Sequence, residues 1–433
     1  MELMICKFYK KIIIFILVLA LSGGLLLPDT NDSFYIKGRF YQDWMGLKGD
    51  DTDLYSRLSS RLKLTLWNRP GDGWTADFDI RNRYTFSDKG DNHLIIYDAK
   101  LFFKSMKSKF FLSVGQMNLY DLSGIGELAG VLVGYKPLKN ISVGGYYGIE
   151  PDIYNSRIDS KYRKFGGFIK YLGPGARQAS ISFNNLSFDG ATERQYLSSS
   201  IFYPFKRLFS VFGTAEYELA TNISNEDRLA RLFLNARFNI SKKVNVTGSY
   251  SSGRGLDYHR FAIEHDENQI FQISEIERFY YNTTYGVRIS FRPAKNYRLS
   301  FARRESERVD EGIKNHTSRF SFSTSNILNS GFSLSTNYNM NRGESSESDS
   351  YYISTSKYFG RLNASISFSS YFNAIYSGVN GQPEITHIPD RRTLSTSLFY
   401  ILNRNLAFSM EYAYSFQDDY KENRMFVRMI IRK

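Results

Sequence analysis

The sequence has a single cysteine, nine prolines and three tryptophans among its 433 residues. The cysteine, Cys6, precedes the first apolar run, so a chain cleaved after that run has no thiol for a disulfide or a thiolate metal site. The five histidines are scattered and do not suggest a metal cluster. Beyond the first thirty residues no apolar run reaches the roughly 20 residues of a spanning helix, and the mean hydropathy is −0.37. A helical membrane protein and a disulfide scaffold are therefore both excluded.

Aromatic residues and positive charge are abundant. The chain has 35 Phe, 32 Tyr and 32 Gly, and a formal net charge of +13. Tyr, Phe, Thr, Val and Ile fit the pleated surface of a sheet, so the composition favours strands. A basic balance is compatible with nucleic acid, an anionic membrane surface or an anionic solute as partner, and the direction in which the charges point decides among them.

The first thirty residues have the pattern of an export signal. Lys7, Lys10 and Lys11 precede the apolar run at 12–21, and small residues follow from Ser22. A basic segment, an apolar core and a small-residue exit predict a secretory signal peptide, here residues 1–22, followed by a short N-terminal lead at 23–32. An uncleaved membrane anchor is the alternative, but the apolar run is shorter than a membrane span requires.

From Ser33 onward, apolar and polar residues alternate strictly. Leu62 and Leu64 share one face of the segment 58–66, whereas Arg61 and Lys63 share the other, and the same alternation resumes after a Pro-Gly turn at 69–73. Two alternating runs around such a turn predict a β-hairpin. The pattern recurs to residues 406–414 without a helix-period segment, so strands dominate the chain.

The connections between these runs alternate in length. Short turns are predicted near 69–73, 105–108, 137–140, 173–178, 204–208, 241–243, 293–296, 326–330, 359–361 and 402–405. Longer loops are predicted near 46–53, 87–92, 117–128, 151–161, 189–193, 220–227, 253–277, 304–316, 342–350, 373–390 and 417–422. Counting between them gives 22 strands, within a range of 16–22. Short turns on one rim and loops on the other are typical of outer-membrane barrels.

An all-β fold is therefore predicted: a single transmembrane antiparallel up-and-down β-barrel over residues 33–433. Only helices and closed sheets satisfy every backbone group in lipid, and the apolar face would point outward. Eight aromatic residues gather near the short turns on that face and predict an interfacial girdle. They are Trp74, Tyr171, Tyr203, Phe209, Phe238, Phe291, Tyr297 and Tyr400.

The segment 111–135 adds a more specific likeness. The run from Phe111 to Gln116 (FLSVGQ) is followed by glycines at 124, 126 and 130 and then by the strand residues 131–135. This resembles the strand, GRQ-like motif and glycine loop of porin-like outer-membrane barrels, with Gln116 matching and no Arg. The resemblance implies an outer-membrane location, lipid contact and insertion by the barrel-assembly machinery. Such barrels usually end in an aromatic residue, whereas the sequence here ends in Ile431, Arg432 and Lys433, so insertion through that signal is in question or the signal is read from Ile431.

The polar face is expected to line a lumen with a net basic charge. The candidate lumen-lining basic residues are Arg61, Lys63, Arg81, Arg83, Lys100, Arg231, Arg237, Arg288, Arg298 and Arg319. Rings of Arg and Lys in a pore favour anions. Three interpretations stay open: the charges pair with acids such as Asp79 and only solvate a wide lumen, they select anions, or they form a specific ligand site. The loop 253–277 either folds inward to narrow the pore, binds something outside, or is a solvated surface loop.

The predicted function is an outer-membrane pore for small polar, possibly anionic, solutes. The alternative is a non-conducting barrel with a structural, adhesive or secretion-related role through its loops. No cofactor, metal or nucleic-acid partner is predicted, and no plug segment precedes the first strand. An enzyme is not expected, although Asp257 and His259 lie in one loop near Ser251 and Ser252 and would be the residues of an embedded hydrolase.

Overall fold

The computed structural model describes twelve segments of the chain. They are residues 35–50, 54–68, 73–86, 91–104, 109–151, 158–221, 228–254, 281–309, 312–344, 346–379, 382–418 and 420–432. The predicted signal peptide and N-terminal lead lie outside these segments and stay predictions. No helix among the described residues is long and apolar enough to cross a membrane.

Twenty-two strands account for most of the described residues, and they range from 9 residues in β5 and β7 to 20 in β20. Their bounds are β1 Tyr35–Gly49, β2 Tyr55–Trp67, β3 Gly73–Phe86, β4 Asp91–Lys104, β5 Phe110–Asn118, β6 Glu127–Leu138, β7 Ile141–Ile149, β8 Tyr162–Leu172, β9 Gln178–Phe188, β10 Ala191–Phe205, β11 Phe209–Thr221, β12 Leu229–Asn239, β13 Val244–Arg254, β14 Tyr281–Phe291, β15 Tyr297–Arg308, β16 Ile313–Thr324, β17 Phe332–Gly343, β18 Ser346–Phe359, β19 Leu362–Val379, β20 Gln382–Ile401, β21 Leu406–Gln417 and β22 Tyr420–Arg432. Two short 3-10 turns, Pro174–Ala176 and Ile327–Asn329, lie in connections.

Each strand pairs antiparallel with the next one along the chain, and the last pairs with the first. The closing ladder between β1 and β22 runs from Arg39 opposite Arg432 to Gly49 opposite Glu422. All strands therefore belong to one closed sheet. This confirms the predicted single up-and-down β-barrel and its strand number.

The register separates an apolar face from a polar face. Ile289 lies opposite Phe301, and Phe301 lies opposite Phe320. Ile289 is 45% exposed, Phe301 38% and Phe320 50%. Many other large apolar residues around the ring are also exposed. A water-soluble protein rarely exposes so extensive an apolar surface. An even number of antiparallel strands with an apolar outer surface is the architecture of a bacterial outer-membrane barrel, and we assign the protein to that membrane on this geometry.

Aromatic side chains cluster on the apolar face near the short turns. All eight residues of the predicted girdle lie on this face by register. Phe209 contacts both Phe205 and Phe238, with ring centroids 5.1 and 5.9 Å apart. Trp74 contacts Phe103 at 4.7 Å. Such rings are favoured at the level of the lipid headgroups, so this end of the barrel carries an interfacial belt.

Three of the predicted long loops are instead strand continuations. β15 extends to Arg308 and β16 begins at Ile313. β17 extends to Gly343 and β18 begins at Ser346, and β19 extends to Val379 and β20 begins at Gln382. Prediction of loops at 304–316, 342–350 and 373–390 was therefore wrong. Alternation reports which face contacts lipid, and it fades where paired strands continue beyond the apolar zone.

Candidate functional site

The connection between β5 and β6, residues 119–126, folds back onto the polar face of the barrel wall. Its backbone is compact: the Leu119 amide donates to the Gly126 carbonyl at 2.8 Å, and the Leu122 amide donates to the Leu119 carbonyl at 2.8 Å. The β5–β6 loop then reaches across to strands β8, β9 and β10. It is the one connection among the described residues that joins the hydrophobic core cluster of the polar face.

Apolar side chains anchor the β5–β6 loop. Ile125 is fully buried and Leu122 nearly so. Their neighbours in the cluster come from β5, β6, β7 and β8 and are Met117, Leu128, Leu132, Tyr146 and Phe168. Burying a side chain of this size contributes roughly 1.5–3 kcal/mol. The loop is therefore held by a small apolar core of its own.

Hydroxyl groups complete the attachment. The Ser123 amide donates to Ser180 Oγ at 3.2 Å, and the Ser123 hydroxyl lies 2.7 Å from the hydroxyl of Ser198. Ser182 donates from its hydroxyl to the Ser123 carbonyl, and Tyr196 donates to the Gly124 carbonyl at 2.7 Å. Two serines and one tyrosine of the wall thus bind the backbone of Ser123 and Gly124, as buried backbone groups require.

Glycine is required at the tip of the loop. Gly124 has φ +71°, a conformation that is unfavourable for residues with a Cβ. A Cβ atom at this position would also lie 2.3 Å from Cβ of Ser198. Gly126 has φ +67°, but a Cβ there would meet nothing within 4 Å. Glycine is therefore favoured at position 124 by both backbone conformation and lack of space, and at position 126 by backbone conformation only.

Charged groups surround the attached loop. Lys170 of β8 bonds Asp121 of the loop at 2.5 Å. Lys164, whose side chain is 3% exposed, pairs with Glu150 at 3.1 Å. Arg194 of β10 contacts two carboxylates of β11, Glu216 at 3.2 Å and Glu218 at 2.5 Å. The cations in this sector are neutralised by neighbouring acids.

A second group of ion pairs lies on the polar face of β2, β3 and β4. Asp79 receives Arg61 Nε at 2.7 Å and Lys63 Nζ at 2.8 Å. Lys100 lies 2.7 Å from Asp98 and 3.8 Å from Asp77. The interpretation that the basic residues pair with acids therefore agrees with the structure for Arg61, Lys63 and Lys100.

The other seven predicted basic residues form no ion pair among the described residues. They are Arg81, Arg83, Arg231, Arg237, Arg288, Arg298 and Arg319. Arg81 donates to Ser59 Oγ at 2.7 Å, and Arg319 donates to Asn339 Oδ1. All ten lie on the polar face by register, so the structure places them together on one surface but in separate sectors.

Three of these seven arginines share one cross-strand row. From β12 to β16 the row reads Arg237, Thr247, Arg288, Ala302 and Arg319. Directly opposed residues have Cβ atoms about 5 Å apart, so the arginines stand roughly 10 Å from one another along the wall. Asn339 follows on β17 and Ser350 on β18. This basic row contains no carboxylate.

The β5–β6 loop that docks on the polar face is a different segment from loop 253–277, the candidate constriction of the sequence. Loop 253–277 lies almost entirely outside the described residues, so its role stays untested. The sequence predicted a long loop at 117–128 with several glycines, but it did not predict the attachment of this loop to the wall. The available signal was apolar: Leu119, Leu122 and Ile125 are unusual in a loop expected to be solvated.

The hydrolase alternative depends on residues that the structure does not describe. Asp257 and His259 lie outside the described residues. Ser252 of β13 contacts Thr283 Oγ1 at 3.1 Å in an ordinary cross-strand pair. Within the described segments, no group of three or more His, Cys, Asp or Glu residues could hold a metal ion.

Comparison with known proteins shows similarity of fold at low identity. No family model matches the chain, and no curated protein sequence matches it. The structure of Acinetobacter baumannii OccAB4 matches with 12% identity over 94% of this chain and 100% of that one, with a TM-score of 0.44. Pseudomonas aeruginosa OpdQ matches with 10% identity over 94% and 100%, with a TM-score of 0.43. The P pilus usher (PapC) translocation pore matches with 10% identity over 91% and 99%, with a TM-score of 0.49.

Proposed function

We propose that the protein is a non-enzymatic pore through which small polar solutes diffuse across the outer membrane. The observation that carries this proposal is the closed barrel whose apolar face is exposed and whose opposite face bears charged and hydroxyl groups. Such a wall surrounds water while its outer surface contacts acyl chains. A signal peptide at 1–22 and insertion by the barrel-assembly machinery belong to the same proposal.

The β5–β6 loop narrows this pore. A ring of 16–18 strands already leaves an aqueous channel, so 22 strands enclose a wide lumen unless something occupies it. The loop covers the polar face of β8 to β10 with a buried apolar anchor and a set of serine hydrogen bonds. Its firm attachment supports a permanent narrowing on one side rather than a mobile lid.

The basic residues of the polar face give the pore a preference for anions. The ten proposed lumen-lining residues are Arg61, Lys63, Arg81, Arg83, Lys100, Arg231, Arg237, Arg288, Arg298 and Arg319. On β2 to β4 this preference is weakened, because Asp77, Asp79 and Asp98 pair with the three cations Arg61, Lys63 and Lys100. The basic row of Arg237, Arg288 and Arg319 supports the preference, because unpaired cations along a water path attract anions.

Ion selectivity in planar bilayers tests both parts of the proposal. In a salt gradient the reversal potential of the wild-type protein is expected to indicate anion preference. A triple variant, Arg237→Gln, Arg288→Gln and Arg319→Gln, is expected to move that potential toward cation preference while the pore still conducts. The matched control removes three exposed charges at short turns through Arg207→Gln, Lys242→Gln and Arg404→Gln, and it is expected to shift the potential much less.

Two results would contradict the proposal at different levels. A folded wild-type protein that shows no conductance would overturn the pore and favour a non-conducting barrel that acts through its loops. Conductance with the same reversal potential in the wild type and the triple variant would leave the pore intact and remove the anion preference. Slower migration of heated protein on a gel would establish that each variant is folded before heating.

A further inference from the structure

A cavity of about 500 Å³ lies at the short-turn rim of β14 to β18. Its polar lining combines cations of the β14–β15 turn and of β15 with serines of β16, β17 and β18. The lining contains no carboxylate. The cavity differs in this from the two ion-paired sectors of the polar face, on β2 to β4 and around the β5–β6 loop, where the cations lie beside carboxylates.

Three cations border the cavity: Arg292, Lys295 and Arg298. All three are exposed, and none of them forms an ion pair or a side-chain hydrogen bond among the described residues. Three positive charges without a carboxylate produce a local potential that attracts an anion. The Arg292 amide is fixed by a hydrogen bond to the Lys243 carbonyl at 2.8 Å, so the turn that carries these residues is anchored to its neighbour.

Serine hydroxyls continue the row that starts at Arg298. Ser323 lies opposite Arg298, Ser335 lies opposite Ser323, and Ser354 lies opposite Ser335. The side chains of these three serines have no hydrogen-bond partner within the described part of the chain. By contrast, the neighbouring hydroxyls of Ser333 and Ser356 lie 2.6 Å apart and satisfy each other. The row therefore offers free hydroxyl donors beside free cations.

This combination selects among anions by shape. A carboxylate presents two oxygens in one plane and is well matched by a single guanidinium. A tetrahedral oxyanion presents acceptor oxygens in several directions, so cations on one side and hydroxyls on another can bind it together. We infer that the cavity is a binding site for a phosphate-type oxyanion, either free phosphate or a phosphate group carried by a larger molecule.

The inference rests on the proposed function only in requiring that the polar face be open to solutes. At the short-turn rim the site would hold a phosphorylated solute at one mouth of the pore. The same chemistry would also accept the phosphate of a lipid headgroup that reaches the rim. The basic row of Arg237, Arg288 and Arg319 lies farther from this rim. Its position on β15 is Ala302, which is four residues beyond Arg298 along the strand.

Titration with inorganic phosphate tests the site without requiring conduction. Calorimetry on the detergent-solubilised, delipidated full chain is expected to show phosphate binding that acetate at equal ionic strength does not reproduce. The double variant Lys295→Gln and Arg298→Gln is expected to raise the phosphate dissociation constant by about tenfold or more. The double variant Lys139→Gln and Lys242→Gln removes the same charge from other short turns and is expected to leave it unchanged.

A second variant isolates the hydroxyl contribution. Ser335→Ala with Ser354→Ala keeps every charge and is expected to weaken phosphate binding while acetate remains unbound. Equal loss in the Lys139 and Lys242 control, or equal binding of acetate, would overturn the inference. Phosphorus NMR distinguishes the source: lipid phosphate retained by the wild type before delipidation and released by Lys295→Gln with Arg298→Gln would identify a headgroup site.

The phosphate-binding experiments and the conductance experiments can fail independently of each other. A protein that binds phosphate but does not conduct retains the cavity as an oxyanion site and loses the proposed function. A protein that conducts but binds no phosphate retains the pore and loses this inference.

Discussion

At the scale of single residues, Gly124 and Gly126 offer a matched comparison. Both adopt a left-handed backbone, but only at Gly124 would a Cβ collide with Ser198. Gly126→Ala is expected to destabilise the β5–β6 loop by about 1 kcal/mol, the cost of the backbone conformation alone. Gly124→Ala adds the steric conflict and is expected to detach the loop from the wall.

Limited proteolysis of the folded barrel measures this difference. Cleavage within 119–126 is expected to be fastest in Gly124→Ala, slower in Gly126→Ala and slowest in the wild type. Single-channel conductance is expected to be highest in Gly124→Ala, intermediate in Gly126→Ala and lowest in the wild type. If the two alanine variants behave alike, the contact with Ser198 does not determine how the loop is held.

At the scale of elements, a disulfide can test whether the β5–β6 loop is docked in the working protein. The hydroxyls of Ser123 and Ser198 are 2.7 Å apart, and the only natural cysteine is Cys6, in the predicted signal peptide. Ser123→Cys with Ser198→Cys is expected to cross-link under mild oxidation. Conductance is expected to be the same in oxidised and reduced protein, because the bond would fix an arrangement that already exists.

The wall itself supplies a control for that experiment. Ser365 and Ser397 on β19 and β20 also have hydroxyls 2.7 Å apart, but neither belongs to a loop. Ser365→Cys with Ser397→Cys reports whether oxidation is effective in a fixed strand pair. Cross-linking at this pair but not at Ser123 and Ser198 would show that the loop leaves the wall. A fall in conductance on oxidation of the loop pair would show the same.

The sequence predicted elements well where lipid imposes alternation and poorly where it does not. The alternation correctly assigned the two faces of β2, with Leu62 and Leu64 on one and Arg61 and Lys63 on the other. Recurrence of this alternation along the chain predicted the strand number. Beyond the apolar zone the same strands continue without alternation, so the extensions of β19 and β20 were missed. The docking of the β5–β6 loop depends on serines of β9 and β10, which are distant in sequence and have no local signature.

At the scale of the whole molecule, the seam between β1 and β22 closes the ring. It joins residues 385 positions apart, a contact that local pattern cannot predict. Arg428 donates to both carboxylate oxygens of Asp43, at 2.7 and 3.1 Å. At the rim the Lys421 amide donates to Asp50 Oδ2 at 3.1 Å, and the Asp50 amide donates to the Lys421 carbonyl at 3.1 Å. The closing ladder therefore has side-chain bonds besides its backbone pairs.

The bidentate pair of the seam is expected to stabilise the closed ring measurably. Asp43→Asn removes the charge but keeps the shape, and it is expected to lower the free energy of unfolding by about 1–3 kcal/mol, the usual range for charge-assisted hydrogen bonds. Arg428→Gln should have a similar effect. Because each variant already breaks the same contact, the double variant is expected to lose less than the sum, with a coupling energy between about 0.5 and 3 kcal/mol. Urea unfolding in lipid vesicles, followed by tryptophan fluorescence, provides the four free energies, and strictly additive losses would mean that Asp43 and Arg428 do not hold the seam together.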